Sequence, residues 1–225
     1  MANYVLVHGA WGGGWAYDRL ARELRGAGHK LLVAQLAGLG TRKDGLNPAI
    51  DLSTHVRDVV GQIEAEGFDR FVLCGHSYGG MVITGVAARL GARIDALCYI
   101  DAFLPAHGES LWDITGDFEH RWYIDTQKDT PGLVAPIGGV ELLQNPRFGR
   151  HPLLTLLEPV RLTGEEAKVP RHTYIFASGW QPTPFPRFRD KVKGDPKWQL
   201  HEVGGGHDVM ADQPEKLLEI VLGLA

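Results

Sequence analysis

The stretch Phe71-Val72-Leu73-Cys74-Gly75-His76-Ser77-Tyr78-Gly79-Gly80 constrains the fold of this chain more than any other. Its first four residues are continuously apolar and too few for a helix, the pattern of a strand covered on both faces. They run into Gly75-His76-Ser77-Tyr78-Gly79, a G-x-S-x-G pentapeptide, after which Ile83, Ala87 and Leu90 recur at helical spacing. Strand, sharp turn and helix in so short a segment need a backbone that reverses where a Cβ has no room. Glycine therefore flanks the turn, and the serine at its apex takes a strained conformation that lifts its hydroxyl out of the sheet edge. Ser77 is a candidate nucleophile.

The remainder of the chain repeats this rhythm. Tyr4-Val5-Leu6-Val7 predicts a strand, Trp15 to Arg25 a helix stopped by Gly26 and Gly28, and Lys30 to Ala34 the next strand. Asp51 or Ser53 can cap a helix whose Leu52, Val56, Val59, Val60 and Ile63 share one face. Further strands are expected at Phe71 to Cys74, Ala96 to Asp101, Tyr174 to Ala177 and Trp198 to Val203, with helices from Met81 to Leu90 and from a capping box at Asp212-Gln213-Pro214-Glu215. Strands separated by helices imply an α/β fold, a mostly parallel central sheet with helices on both faces. Between about residues 105 and 170 the rhythm fails. That stretch is too long for a structureless loop and reads as an inserted cap with short helices near Leu111 and from Val140 to Leu143, within a single domain spanning 1–225.

Composition narrows the function classes. With 225 residues, 44% of them hydrophobic, the chain can bury a sizeable core. The net charge of −4 comes with no basic block, which argues against nucleic acid or an anionic membrane as partner and for a small neutral or weakly polar molecule. No apolar run is long enough to span a bilayer, and the first residues lack secretory features, so a cytoplasmic protein, monomer or homodimer, is expected. Cys74 and Cys98 each lie in an apolar strand and read as buried free thiols; no histidine, cysteine or carboxylate spacing suggests a metal site.

In an open parallel sheet, ligands bind at the carboxyl ends of the strands. Four features fall there: the His8-Gly9-Ala10-Trp11 turn, Ser77, Asp101 and the Gly204-Gly205-Gly206-His207 loop. A serine hydroxyl needs a base to take its proton, and His207, after three glycines, is the best placed. His8 reads as a loop support, and His29, His55, His107, His120, His151 and His172 show no partner at catalytic spacing. Backbone N–H groups of Ala10 and of Tyr78, at a helix start, are the expected donors to an oxyanion. Trp11 and the cap residues Trp112 and Trp122, with Phe118 and Tyr123, can shape an apolar pocket, although cap aromatics also serve as packing.

Val5-Leu6-Val7-His8-Gly9-Ala10-Trp11, Gly75 to Gly80, Tyr99 to Pro105 and Gly206-His207-Asp208 together resemble the α/β-hydrolase superfamily, within it the small esterase and hydroxynitrile-lyase-like branch. The resemblance covers nearly the whole chain except the cap. It implies an α/β-hydrolase fold, no cofactor, and a Ser-acid-His triad with Ser77 and His207 in the matching positions. Many members of the family carry the acid a few residues past the strand that follows the cap, where this chain has Trp180. Asp101, ending the strand beside the nucleophile strand, is the expected substitute; Asp190, Asp195, an acid from the cap, or a dyad are the alternatives. Lyases of this branch place Thr where Gly9 stands and Lys where Asp208 follows the histidine, a positive charge that would hold cyanide. The resemblance therefore implies ester hydrolysis, with a C–C bond or lactone hydrolase or lyase, or a non-catalytic small-molecule receptor or carrier, as other uses of the same site.

Overall fold

The computed structural model describes residues 1–180 and 183–225. From the N-terminus, strand β1 (Asn3–Val7) leads through a 3₁₀ turn (Gly14–Tyr17) into α1 (Asp18–Gly26) and β2 (Lys30–Ala34). Next come α2 (Leu52–Glu66), β3 (Phe71–Ser77), α3 (Gly79–Leu90) and β4 (Ile94–Ala102). An insertion follows with α4 (Leu111–Ile114), α5 (Asp117–Asp125), the short strands β5 (Leu133–Val134) and β6 (His151–Pro152), and α6 (Leu154–Leu157). The chain closes with β7 (His172–Ala177), α7 (Pro186–Val192), β8 (Trp198–Val203), α8 (Val209–Asp212) and α9 (Pro214–Leu222).

The central sheet has the order β2-β1-β3-β4-β7-β8, and every pairing in it is parallel. Side chains alternate between its faces, as strand geometry requires. Val5, Val7, Phe71, Leu73, Leu97, Tyr99, Tyr174 and Phe176 join the core under α2, α3 and α7. Tyr4, Leu6, Val72, Cys74, Cys98, Ile100, Ile175 and Ala177 join the core under α1 and α9. Both faces are dry, which is why these strands read as unbroken apolar runs. Cys74 and Cys98 are free, buried and opposite one another in register.

Connections from β1 leave to one side toward β2 and then return to β3 on the other side of β1. The loops leaving β1 and β3 therefore part company at their carboxyl ends and open a crevice between them. Gly79 makes this possible: a Cβ there would stand 2.6 Å from the Val7 carbonyl oxygen. The first turn of α3 is seated directly on the end of β1.

Local chemistry sets most boundaries. Asp51 caps α2 by accepting from the Thr54 N–H at 2.7 Å, and Gly67 ends that helix at φ 65°. The expected capping box at Asp212 does not form. Asp212 Oδ2 instead accepts from the Gly206 N–H, Gln213 is left without a side-chain cap, and the C-terminal helix is split into α8 and α9. In the insertion, α4 and a 3₁₀ segment at Val140–Gln144 fall where short helices were expected, while the antiparallel β5–β6 pair was not foreseen, each strand being two residues long. Among the described residues no helix is long and apolar enough to cross a membrane.

Candidate active site

Three non-glycine residues among those described have positive φ: Trp11 at 60°, Ser77 at 54° and Asp101 at 39°. All three stand at carboxyl ends of neighbouring strands, and strain of this kind persists only where surrounding structure enforces it. At Ser77 the enforcement is steric. A Cβ on Gly75 would lie 2.7 Å from the Gly79 oxygen, and one on Gly80 2.1 Å from the Phe103 oxygen, so strand, turn and helix close over the serine with no slack. At Asp101 it is a bulge: His76 pairs with Ile100 and Ser77 with Ala102, leaving Asp101 as the extra residue. The bulge re-aims its side chain across the strand ends.

That side chain is fully buried and meets His207, with Asp101 Oδ2 accepting from His207 Nδ1–H at 2.7 Å. The same oxygen accepts from Trp180 Nε1–H at 3.0 Å, and Oδ1 accepts from the Ala177 N–H at 3.0 Å. Trp180, standing where the resemblance led one to look for a carboxylate, therefore serves as a donor to one. Asp190 pairs with Arg189, and Asp195 accepts from the Lys197 N–H; neither is brought to His207. With Nδ1–H donating to the carboxylate, Nε2 of His207 keeps its lone pair and can accept a proton.

The loop carrying His207 is held from several sides. His76 Nε2–H donates to the His207 carbonyl at 2.8 Å, Gly179 N–H donates to Gly205 O at 2.9 Å, and Gly205 turns at φ 82° with Asp212 close beneath it. The rings of Trp180 and Phe185 lie 4.8 Å and 5.3 Å from the imidazole. His76, a variable position of the pentapeptide by sequence, is thus a support for the histidine loop.

Tyr78 is the N-cap of α3, so its N–H lies at the positive end of that helix. Ala10 sits in the turn after β1, and Gly9 has little room: a Cβ there would stand 3.1 Å from the Ser77 Cβ. The His8–Ala10 turn is thereby fixed against the serine. His8 is a loop support as expected, its Nδ1–H donating to Gly9 O at 2.8 Å and its Nε2 accepting from the Leu36 N–H at 3.4 Å. Burial pushes its pKa down to about 4.

The tryptophans separate. Trp11 is half-buried, with its indole N–H donating to Val134 O at 3.1 Å. Trp112 stacks on His120 at 3.8 Å, and Trp122 donates to Ala135 O at 3.0 Å while lining an open cleft of about 730 Å³ with Phe118, Arg121 and Arg150. None of the three makes a hydrogen bond to Ser77, His207 or Asp101, and the contacts of Trp112 and Trp122 are internal packing of the insertion.

Two histidines that spacing left without partners have them. His55 accepts from Tyr78 O–H at Nδ1, 2.8 Å, and donates from Nε2 to Ala37 O at 2.9 Å. His151, at the start of β6, is wholly buried with its ring 4.7 Å from that of Tyr78 and 5.7 Å from that of Trp11. Burial lowers the pKa of His55 to about 4 and that of His151 well below the ordinary histidine value. Only the tertiary fold brings these rings together, 96 positions apart in the chain, and the one sequence signal was the place of His55 at helical spacing between Leu52 and Val59 on the apolar face of α2.

A model of the alpha/beta hydrolase family matches residues 4–220. The carbendazim hydrolyzing esterase of Nocardioides sp. (strain SG-4G) is 41% identical, with 100% of each chain covered. Salicylic acid-binding protein 2 of Nicotiana tabacum is 27% identical over 99% of this chain and 96% of that one. Among solved structures, an extracellular alpha/beta-hydrolase from a Paenibacillus species superposes with a TM-score of 0.82 at 21% identity, covering 100% of this chain and 99% of that one, a likeness of fold.

Proposed function

We propose, from the premise that this chain belongs to the alpha/beta hydrolase family, that it is a serine esterase cleaving a small-molecule carboxylic ester through an acyl-enzyme on Ser77. The observation that carries this reading is the 2.7 Å contact between His207 and the buried Asp101, at the strand ends beside the strained Ser77. His207 Nε2 takes the Ser77 proton as the hydroxyl attacks the ester carbonyl. The N–H groups of Ala10 and Tyr78 receive the developing oxyanion, where a single such donor is worth about 3 kcal/mol of barrier. The imidazolium then protonates the departing alkoxide, and the same histidine activates the water that frees the acid. Asp101 holds the ring in the tautomer that leaves Nε2 free and offsets the charge it gains.

Asp208 supports hydrolysis over lyase chemistry. Its carboxylate accepts from the Ala211 N–H at 3.3 Å and puts negative charge beside the histidine, where a departing anion would be repelled. The segment of about 105–170 is the cap that selects substrate in this reading, which also includes a cytoplasmic monomer or homodimer acting without a cofactor. Cell fractionation and sedimentation test those last features.

The activity is tested by release of p-nitrophenol from acyl esters of increasing length, with carbendazim added because a relative covering the whole chain is named for hydrolysing it. Wild type is expected to turn over the short esters, and Ser77→Ala to lose about four orders of magnitude or more in kcat. Equal turnover by the variant would remove Ser77 as the nucleophile, and no turnover by wild type with tight ligand binding would replace this reading with a binding protein.

A further inference from the structure

Trp11 follows Ala10 directly, and its backbone conformation sets where the Ala10–Trp11 peptide lies. The Gly12 N–H donates to Ala10 O at 2.7 Å, closing a three-residue turn with Trp11 at φ 60° in its centre, and the remaining contacts that hold Trp11 come from the insertion. The Gly149 N–H donates to Trp11 O at 2.9 Å, Trp11 Nε1–H donates to Val134 O of β5 at 3.1 Å, and the Trp11 N–H points to His151 Nδ1 of β6 at 3.5 Å, the long end of the hydrogen-bond range. Three separate groups of the insertion thus grip one residue of the β1 turn.

The proton accounting makes His151 specific to this purpose. Thr155 Oγ1–H donates to Pro152 O at 2.8 Å, so the 2.7 Å contact between Thr155 Oγ1 and His151 Nε2 must be donated by the imidazole. His151 is therefore neutral and protonated on Nε2, and its Nδ1 presents a lone pair in a site with no solvent exposure. A buried acceptor of this kind is costly to leave unmet, and the Trp11 N–H is the donor the structure offers it. The same ring packs edge-to-face with Tyr78, whose hydroxyl is fastened to His55. One imidazole of the insertion thus touches the residues on both sides of the crevice, the one after Ala10 and the one after Ser77.

We propose that His151 is a positioning residue for the oxyanion hole, and that the insertion, through His151 and the β5–β6 pair, builds the donor geometry at Ala10 and Tyr78 as well as covering the site. The proposal rests on the serine esterase reading above. It makes oxyanion stabilisation depend on the insertion being seated: when β6 moves away, only the Gly12 N–H to Ala10 O bond is left to hold the strained turn, which relaxes, and the Ala10 N–H swings from its place.

The test compares His151→Leu, which removes the acceptor, with His151→Asn, whose side-chain oxygen can replace Nδ1. Each is measured for kcat and KM on a short p-nitrophenyl ester, for affinity toward an aryl trifluoromethyl ketone that forms a tetrahedral adduct on serine, and for melting temperature. His151→Leu is expected to lower kcat and ketone affinity in parallel, by about ten- to a hundredfold, with KM within about threefold, because the lost contact acts on the tetrahedral species. His151→Asn is expected to restore both to within a few-fold. Should His151→Leu not fold, the near-isosteric Thr155→Val releases the Nε2–H tautomer and is expected to lower both quantities together by severalfold. Ketone affinity and kcat unchanged in His151→Leu, or in Thr155→Val where it stands in for it, would overturn the proposal. Leu and Asn variants losing kcat and melting temperature alike, with no rescue, would overturn it equally. Turnover retained by Ser77→Ala would instead remove the serine reading on which it stands, whatever the His151 variants do.

Discussion

Asp101 uses both carboxylate oxygens as acceptors, Oδ1 from the Ala177 N–H and Oδ2 from His207 and Trp180 together. An asparagine offers one oxygen where three N–H groups converge on two. In either orientation its amide N–H₂ faces another donor in a dry site, at a cost of about 1–3 kcal/mol in stability, and His207 loses the acceptor that fixes its tautomer. Asp101→Asn is therefore expected to melt lower and to reduce kcat on p-nitrophenyl acetate by about 10⁴. Asp190→Asn and Asp195→Asn, whose carboxylates sit elsewhere, are expected to leave kcat within a factor of about two. The reverse ranking would assign the acid to the segment after Trp180. Ser77 and His207 stand out in the sequence because their turns are built from glycines, needed for close approach at Gly75, Gly79 and Gly80 and for a left-handed backbone at Gly205. Asp101 could be named only as a candidate, since its bulge, its burial and the indole N–H of Trp180 are properties of three strands meeting.

At the scale of elements, the same substitution has opposite effects at two glycines, and the difference measures how tightly α3 is seated. A Cβ at Gly80 would stand 2.1 Å from the Phe103 oxygen and 2.9 Å from its nitrogen, which itself donates to Ser77 O at 3.2 Å. Both neighbours are backbone and cannot turn aside, so Gly80→Ala must displace the exit of β4 and with it the serine turn. A loss of about 1–3 kcal/mol or more and reduced turnover are expected. A Cβ at Gly61, on α2, would meet nothing within 4 Å, and Gly61→Ala is expected to stabilise by about 0.5–1 kcal/mol through helix propensity. Urea unfolding of the two variants beside wild type checks both signs; a neutral Gly80→Ala would mean that the contact is softer than its geometry. The strands and long helices were legible because each keeps one period over its length: β2 lies where an apolar run places it, and β8 where Trp198, Leu200 and Val203 punctuate a polar stretch. The capping box at Asp212 was a sound local reading that lost to a tertiary partner, the Gly206 N–H under the His207 loop. Inside the insertion, two-residue strands carry no period to read, and β5 and β6 exist because they pair with one another and because Val134 and His151 meet Trp11.

For the molecule as a whole, the crevice is walled by buried neutral histidines, and they tie its stability to pH. His8 and His55 are 1% and 0% exposed, and burial holds each pKa down to about 4. His55 adds to the depression of His8, Arg42 adds to that of His55, which also faces Tyr78 and His151, and Asp58 and Asp51 nearby offset the depression only in part. In the unfolded chain both titrate near the ordinary value of about 6.5. Above that pH both states are neutral and these groups contribute no pH dependence. As pH falls from about 6.5 toward 4, the unfolded chain takes up protons that the folded chain refuses, so stability declines by about 1.4 kcal/mol per pH unit for each histidine, roughly 3 kcal/mol apiece across the window. Two such groups account for a large part of the 5–15 kcal/mol that holds a typical domain together. Urea unfolding in buffers from pH 7 to pH 4.5 should therefore show a midpoint that falls steeply below about pH 6.5. His55→Gln can keep both partners, accepting from Tyr78 and donating to Ala37, yet carries no titrating ring. It should unfold along a line shallower by about one histidine's share, and a variant that tracks wild type through the whole range would show that His55 is protonated in the folded crevice.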